Sequence, residues 1–244
     1  MRVKITLSYD GSHFSGFQIQ SDNTACKTVA GELTKAFKRL NITSHVQGSG
    51  RTDLGVHALR QVIHIDLPSF WSDLSKLRTR LNDFVRPHIN IQIIEPINDT
   101  FHARFHAKSR LYRYVLYSGE YQPFLAHYAM HLPQSIDVSY LHQNIQLFQG
   151  KHNFEYFKKV GGGTTSPLRT IFKAGAYRYK QFIIIYFFGD AFLRSQVRMM
   201  VEMALQTCFG KYTQNDIMQQ HQGERRASTM LAPACGLYLS RIYY

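Results

Sequence analysis

Acidic residues are scarce in this chain: 16 Asp and Glu stand against 29 Lys and Arg, for a formal net charge of +13. Cysteine is scarcer still. Cys26, Cys208 and Cys235 are odd in number and widely spaced, which excludes a disulfide framework; reduced, mostly buried thiols are the expectation. No apolar run approaches the ~20 residues that a membrane span requires, and the longest, Phe182 to Phe188, suits a buried strand. Met1 to Asp10 alternates polar and apolar residues instead of forming a signal-peptide pattern, so the expected location is the cytoplasm. Nucleotide fingerprints are incomplete. Gly48-Ser-Gly50 lacks the third glycine of the dinucleotide pattern, since position 53 is Asp, and it has no phosphate-loop lysine. Gly161-Gly-Gly163 runs into Thr-Thr-Ser-Pro, again without lysine, and reads as a flexible connection over substrate. His102 and His106 are four apart, but their surroundings look extended and bring no acidic or cysteine ligand. Neither a metal nor a nucleotide cofactor is expected.

What is abundant is basic and aromatic. The 15 Tyr and 17 Phe interleave with cations, as in Arg110-Leu-Tyr-Arg-Tyr114 and Tyr177-Arg-Tyr179. Cations neutralise phosphates and release counterions, while aromatic faces stack on unpaired bases. A polyanion, and RNA in particular, is the partner this composition favours. At 244 residues with 44% hydrophobic content, the chain is long enough to bury a substantial core.

Periodicity gives the order of elements. Val3, Ile5, Leu7 and Tyr9 alternate as a strand, and Val29, Leu33, Phe37 and Leu40 recur at helical spacing. A short strand at His45 to Gln47 and one at Gln61 to Leu67 follow. Next come a helix capped by Ser72 and carrying Leu74, Leu77, Leu81 and Phe84, and a strand with Ile89, Ile91 and Ile93 on one face. The second half repeats the theme. A strand at 111–117 precedes a helix capped by Asp137, paired strands at 170–179 and 181–188, a helix from Val197 to Cys208, and a strand at 237–243. The order predicts an α+β fold of two ferredoxin-like, split β-α-β halves, residues 1–103 and 104–244. They are expected to share a pseudo-twofold, largely antiparallel sheet with helices on one side and a central basic cleft.

Gly48-Ser-Gly-Arg-Thr-Asp-Leu-Gly-Val-His57 is the stretch with the most chemistry per residue. Its glycines permit tight turns and close ligand approach, and they hold Asp53 two residues after Arg51. Two readings of Asp53 stand: a turn residue bonding its own backbone, or a carboxylate committed to chemistry. Arg194 and Arg198 fall in the first turns of the helix that ends at Gly210, where a cation opposes the helix dipole unless an anion faces it. Tyr112 lies on a strand between Arg110 and Arg113, with Tyr114 on its own face.

These residues match a family. The chain resembles the tRNA pseudouridine synthase A (TruA) family nearly end to end. The resemblance rests on Tyr9-Asp-Gly-Ser with Gly16-Phe-Gln, the Gly48–His57 loop, Phe101-His-Ala-Arg-Phe105 and Arg110–Tyr114. Ser166-Pro-Leu-Arg-Thr-Ile171, Phe192–Arg198 and Ala232-Pro-Ala-Cys-Gly-Leu-Tyr238 continue it. Departures are Phe17 for the usual tryptophan, Ser195-Gln196, Glu202 where glycine is usual, and Arg86-Pro-His88 in place of Pro-Asp. The resemblance implies two ferredoxin-like halves and a homodimer that acts without cofactor on uridines 38 to 40 of the tRNA anticodon arm. It assigns the catalytic aspartate to Asp53, the active-site tyrosine to Tyr112 and the active-site arginine to Arg198. Arg51, His57, Arg104, Arg110, Arg113 and Arg194 are then the expected RNA contacts. A non-catalytic RNA-binding protein and a base-excising N-glycosidase are the alternatives; the first would tolerate loss of Asp53, and the second would release free uracil.

Overall fold

The computed structural model describes residues 1–19, 26–159 and 166–244, so the glycine run at 161–163 lies outside the described residues. In chain order the elements are β1 (Arg2–Tyr9), α1 (Val29–Arg39), β2 (Gln47–Gly48), β3 (His57–Asp66), α2 (Leu74–Val85) and β4 (Ile89–Pro96). There follow β5 (Ser109–Ser118), β6 (Met130–Leu132), α3 (Val138–Gln146), β7 (Gly150–Asn153), β8 (Leu168–Tyr179), β9 (Phe182–Gly189), α4 (Gln196–Cys208), α5 (Gln214–Gln222) and β10 (Leu237–Tyr243). The class is α+β, and strand pairing is mostly antiparallel. The chain divides into two compact units: Met1–Lys108 with Tyr238–Tyr244, and Ser109–Leu237.

In the first unit β1 is flanked by β4 and β3, both antiparallel to it, and β2 pairs antiparallel with the far end of β3. That is the 4-1-3-2 order of a split β-α-β unit. β10 joins the start of β3 in parallel, through Tyr238 opposite His57 and Leu239 opposite Ala58. Gln61 to Ile65 are buried on both faces of β3, which makes it the spine of the unit. Thr28 caps α1 by accepting from the Gly31 amide at 3.2 Å, and the helix buries Val29, Leu33, Ala36 and Phe37.

Two expectations for this unit are corrected. Asp73, not Ser72, caps α2; its carboxylate accepts from Lys76 N–H at 2.9 Å, one residue closer to the first helical position. Ile93 does not share a buried face with Ile89 and Ile91, and is 39% exposed. The register against β1 skips Gln92: Leu7 opposes Ile91 while Thr6 opposes Ile93. Such a bulge turns every later side chain to the other face. Beside it, the buried amide of Asn82 donates to Ile91 O at 3.0 Å and accepts from Ile91 N–H at 2.8 Å, joining α2 to β4. Phe84, expected in the core, is 39% exposed.

In the second unit β9 lies between β5 and β8, antiparallel to both, and β7 extends the sheet beyond β8. β6 pairs in parallel with the end of β5. Asp137 caps α3 through Ser139 N–H at 2.8 Å, and Leu141, Ile145 and Phe148 are fully buried. α4 is buried along most of its length. Its polar residues Gln196 and Glu202 are accommodated by local bonds. Gln196 Oε1 accepts from Leu193 N–H at 2.8 Å, and the Glu202 carboxylate accepts from Gln206 at 2.9 Å. α5 escaped the periodicity reading because it is polar nearly all round. A capping box between Thr213 and Asp216 starts it, and of its residues Ile217, Gln220 and His221 are buried.

Cys26, Cys208 and Cys235 are free thiols, as expected, but half-buried instead of mostly buried. Each unit also buries a histidine. His64 accepts from Ala103 N–H at 3.2 Å, and His221 lies 4.3 Å from the His152 ring. Burial, with like charges nearby, lowers both imidazoles to about 4. An unfolded histidine titrates near 6.5, so between that pH and about 4 the unfolded chain binds more protons than the folded one. Stability is therefore expected to fall as pH drops through this window. Thermal melts from pH 7.5 to 4.5 should show that slope, flattened in His221→Gln; equal slopes for both proteins would refute the assignment.

Candidate active site

Asp53 is half-buried on the loop between β2 and β3, where Val56 N–H donates to the Asp53 carbonyl at 3.2 Å to close a turn. The stretch after β1 shapes this loop. Tyr9 and Thr52 hydroxyls meet at 2.8 Å, both buried, and Phe17 N–H donates to Thr52 O at 3.1 Å. Gln61 donates to Gly50 O at 3.0 Å from below. Two glycines are required by contact. A Cβ on Gly11 would stand 2.1 Å from Val56 O, and one on Gly48 would stand 2.4 Å from the Phe17 ring. The residue next to the carboxylate is thus clamped on both sides, while Asp53 itself reaches solvent.

His57 is buried at the end of the loop. Its Nδ1 accepts from Gly11 N–H at 3.0 Å and lies 3.3 Å from Asp10 Oδ1, and its ring stacks on Tyr238 at 4.7 Å. That is the setting of a positioning residue. Arg51 is exposed on the loop. Arg104 is exposed in a turn closed by His106 N–H to His102 O at 3.0 Å, with its guanidinium 5.8 Å from the Phe105 ring. The His102 and His106 Nδ1 atoms accept backbone N–H groups within this turn, so their spacing serves the fold locally.

In the second unit Arg110, Tyr112 and Tyr114 share one face of β5, and Arg113 projects from the other, exposed. Tyr112 is nearly buried, with the Phe192 ring edge-on at 5.1 Å. Arg110 donates to Asp190 O at 2.9 Å. Tyr114 is a core residue: its hydroxyl donates to Pro233 O at 2.7 Å, and burial pushes its pKa well up. Arg198 is half-buried in the first turn of α4 and donates through Nε to Ala232 O at 2.7 Å, while Ala232 N–H returns a bond to Arg198 O. This aims the guanidinium. Arg194 differs from expectation. Ser195, with φ of 61°, is the N-cap, so Arg194 precedes the helix and is exposed.

Comparison with known proteins shows the family. The family model described as tRNA pseudouridine synthase matches residues 5–106 and 145–244. The chain is 38% identical to a tRNA pseudouridine synthase A of Campylobacter jejuni over 244 residues, all of both chains. It is 39% identical over 246 aligned residues to proteins of the same name from Helicobacter hepaticus and Helicobacter pylori, covering 99% of this chain and 98% of each relative. The chain belongs to the tRNA pseudouridine synthase family. The family-model match includes Arg51, Asp53, His57, Arg104, Arg194 and Arg198; Arg110, Tyr112 and Arg113 fall in the interval it omits, within the full-length similarity to the relatives.

The sequence reading of this family member missed the supporting residues Tyr9, Thr52 and Gln61. The signal was present as a resemblance in Tyr9-Asp-Gly-Ser, but the use of the hydroxyl is a tertiary fact. Gly11→Ala should displace the Val56 carbonyl and loosen the loop, costing about 1–3 kcal/mol. Amide hydrogen exchange should rise at 49–57; unchanged exchange there would show that the contact is dispensable.

Proposed function

We propose that this member of an isomerase family converts uridine to pseudouridine in the anticodon stem-loop of tRNA, at uridines 38 to 40, with Asp53 as the catalytic residue. The observation that carries the reading is the Gly48–His57 loop, which offers one carboxylate on a backbone clamped from both sides. The full-length similarity to proteins named tRNA pseudouridine synthase A supports the substrate class.

The reaction breaks N1–C1′, turns the base, joins C5 to C1′, and moves a proton from C5 to N1. It is redox-neutral and transfers no phosphate, so the side chains suffice. Asp53 acts either as nucleophile, at C1′ or at C6, or as base on the ribose. Arg198 is the active-site arginine that the resemblance assigns, and its tie to Ala232 limits the ways its guanidinium can point. Tyr112 supplies a ring to stack on a base that has left the stem, at a cost of a few kcal/mol of stacking. The exposed cations Arg51, Arg104 and Arg194, with Arg110, take up backbone phosphates. Arg113, on the opposite face of β5 from Tyr112 and opposite Tyr186 of β9, lies away from these cations, beside the open face of the sheet.

We assign a homodimer to the working enzyme. Its support is the open face of the second unit's sheet, where Phe172 and Tyr177 are exposed and Ile184, Tyr186 and Phe188 are half-exposed. A cytoplasmic location goes with a tRNA substrate, and no described helix is long and apolar enough to cross a membrane.

Asp53→Asn should abolish tritium release from C5-labelled uridine in tRNA while leaving tRNA affinity within a few-fold. Turnover by that variant would exclude Asp53 from the chemistry, and release of free uracil by the unaltered protein would reassign the reaction as glycosidic cleavage. Arg198→Ala should cut turnover by at least about tenfold with a melting temperature close to the parent's; turnover that fell only in step with lost stability would make Arg198 structural.

A further inference from the structure

Asp10, His13 and His88 bring one ligand atom each to within 4.8 Å of the others, and among the described residues they are the one such group of three or more His, Cys, Asp or Glu. The backbone beneath them is fixed, because Asp10 N–H donates to His88 O at 3.0 Å. Asp10 Oδ1 accepts from Ser12 N–H at 3.0 Å and Ser12 Oγ at 2.7 Å. Those bonds turn Oδ2 toward His13 Nε2, 3.7 Å away. The His13 and His88 rings lie 3.6 Å apart and nearly parallel.

We propose that these three side chains form a binding site for a divalent first-row transition ion of the zinc type. Two imidazoles and one carboxylate favour such an ion over magnesium or calcium, which prefer all-oxygen shells. Ser12 plays the outer-shell part, holding the carboxylate while its other oxygen binds. His13 is exposed, so its ring can swing out of the stack until its nitrogen points at the ion. The remaining coordination positions face solvent and take water. Lys27, 5.3 Å from the Phe14 ring and close enough to act on His88, opposes a cation here and keeps the binding reversible.

The consequence is mechanical. The ion fastens the end of β1 to the start of β4, and Gly11, the residue between Asp10 and Ser12, donates to His57 and presses on Val56. Metal binding therefore stiffens one jaw of the clamp on the Asp53 loop. The site is independent of the proposed reaction and is read without an activity assay.

The test is calorimetric titration of the full-length, tag-free protein with zinc chloride, repeated with cobalt chloride to follow the visible absorption of the bound ion. One equivalent should bind, with reduced hydrogen exchange at 10–17. His13→Ala and His88→Ala, checked for fold by circular dichroism, should each weaken binding by at least about tenfold. Absence of stoichiometric binding overturns the proposal. So does binding that survives both substitutions, which would place the ion elsewhere, for instance at His102 and His106.

Discussion

The contact between Gly11 and the Val56 carbonyl sets the geometry of the first unit's functional loop. Backbone meets backbone there at a distance that leaves no room for a Cβ. Close contact of this kind fixes position without a side chain that could relax. Around it the Tyr9–Thr52 hydroxyl pair and the Phe17–Thr52 backbone bond hold the residue just before Asp53. A half-buried carboxylate is thereby presented from a backbone held on both sides. His57, buried and bonded to the same Gly11, belongs to that base.

The second unit solves a parallel problem by different means. Arg198 and Tyr114 both bind the chain at Ala232-Pro233, one through a guanidinium Nε and the other through a hydroxyl. Tyr112 is fixed by an edge-on contact with Phe192, a residue of the segment leading into α4. Each long side chain thus gives up rotamer freedom during folding instead of during binding. Gln196 and Glu202 fit because neighbouring groups on or just before α4 satisfy them.

Much of the fold was legible. β1, α1 and α3 were found by period because each has one strongly buried face, and β9 as an apolar run. The elements missed are those whose partners are not written locally. α5 is polar and takes its stability from a capping box and the Gln220–Ser228 bonds. β6 and β7 are three and four residues long, too short to show a period. Ile93 was misplaced because a bulge depends on the opposing strand and leaves no local mark. Of the candidate site, Asp53, Arg198 and Tyr112 were named from motif resemblance, and the roles of Tyr9, Thr52 and Ala232 were not.

The sequence by itself favoured a polyanion as partner, through an excess of cations interleaved with aromatics, and pointed to the family, through spaced motifs that need no coordinates. It also determined that Arg110 and Tyr112 share a face and Arg113 does not, because strand alternation is a local rule. Tertiary structure decided what depends on distant residues meeting. It returned β10 to the first unit beside β3, put Asp10 and His13 against His88, and laid Gly11 on Val56. Periodicity and composition act along the chain, whereas register, clamping and ligand clusters arise from contacts that close only when the sheet has formed.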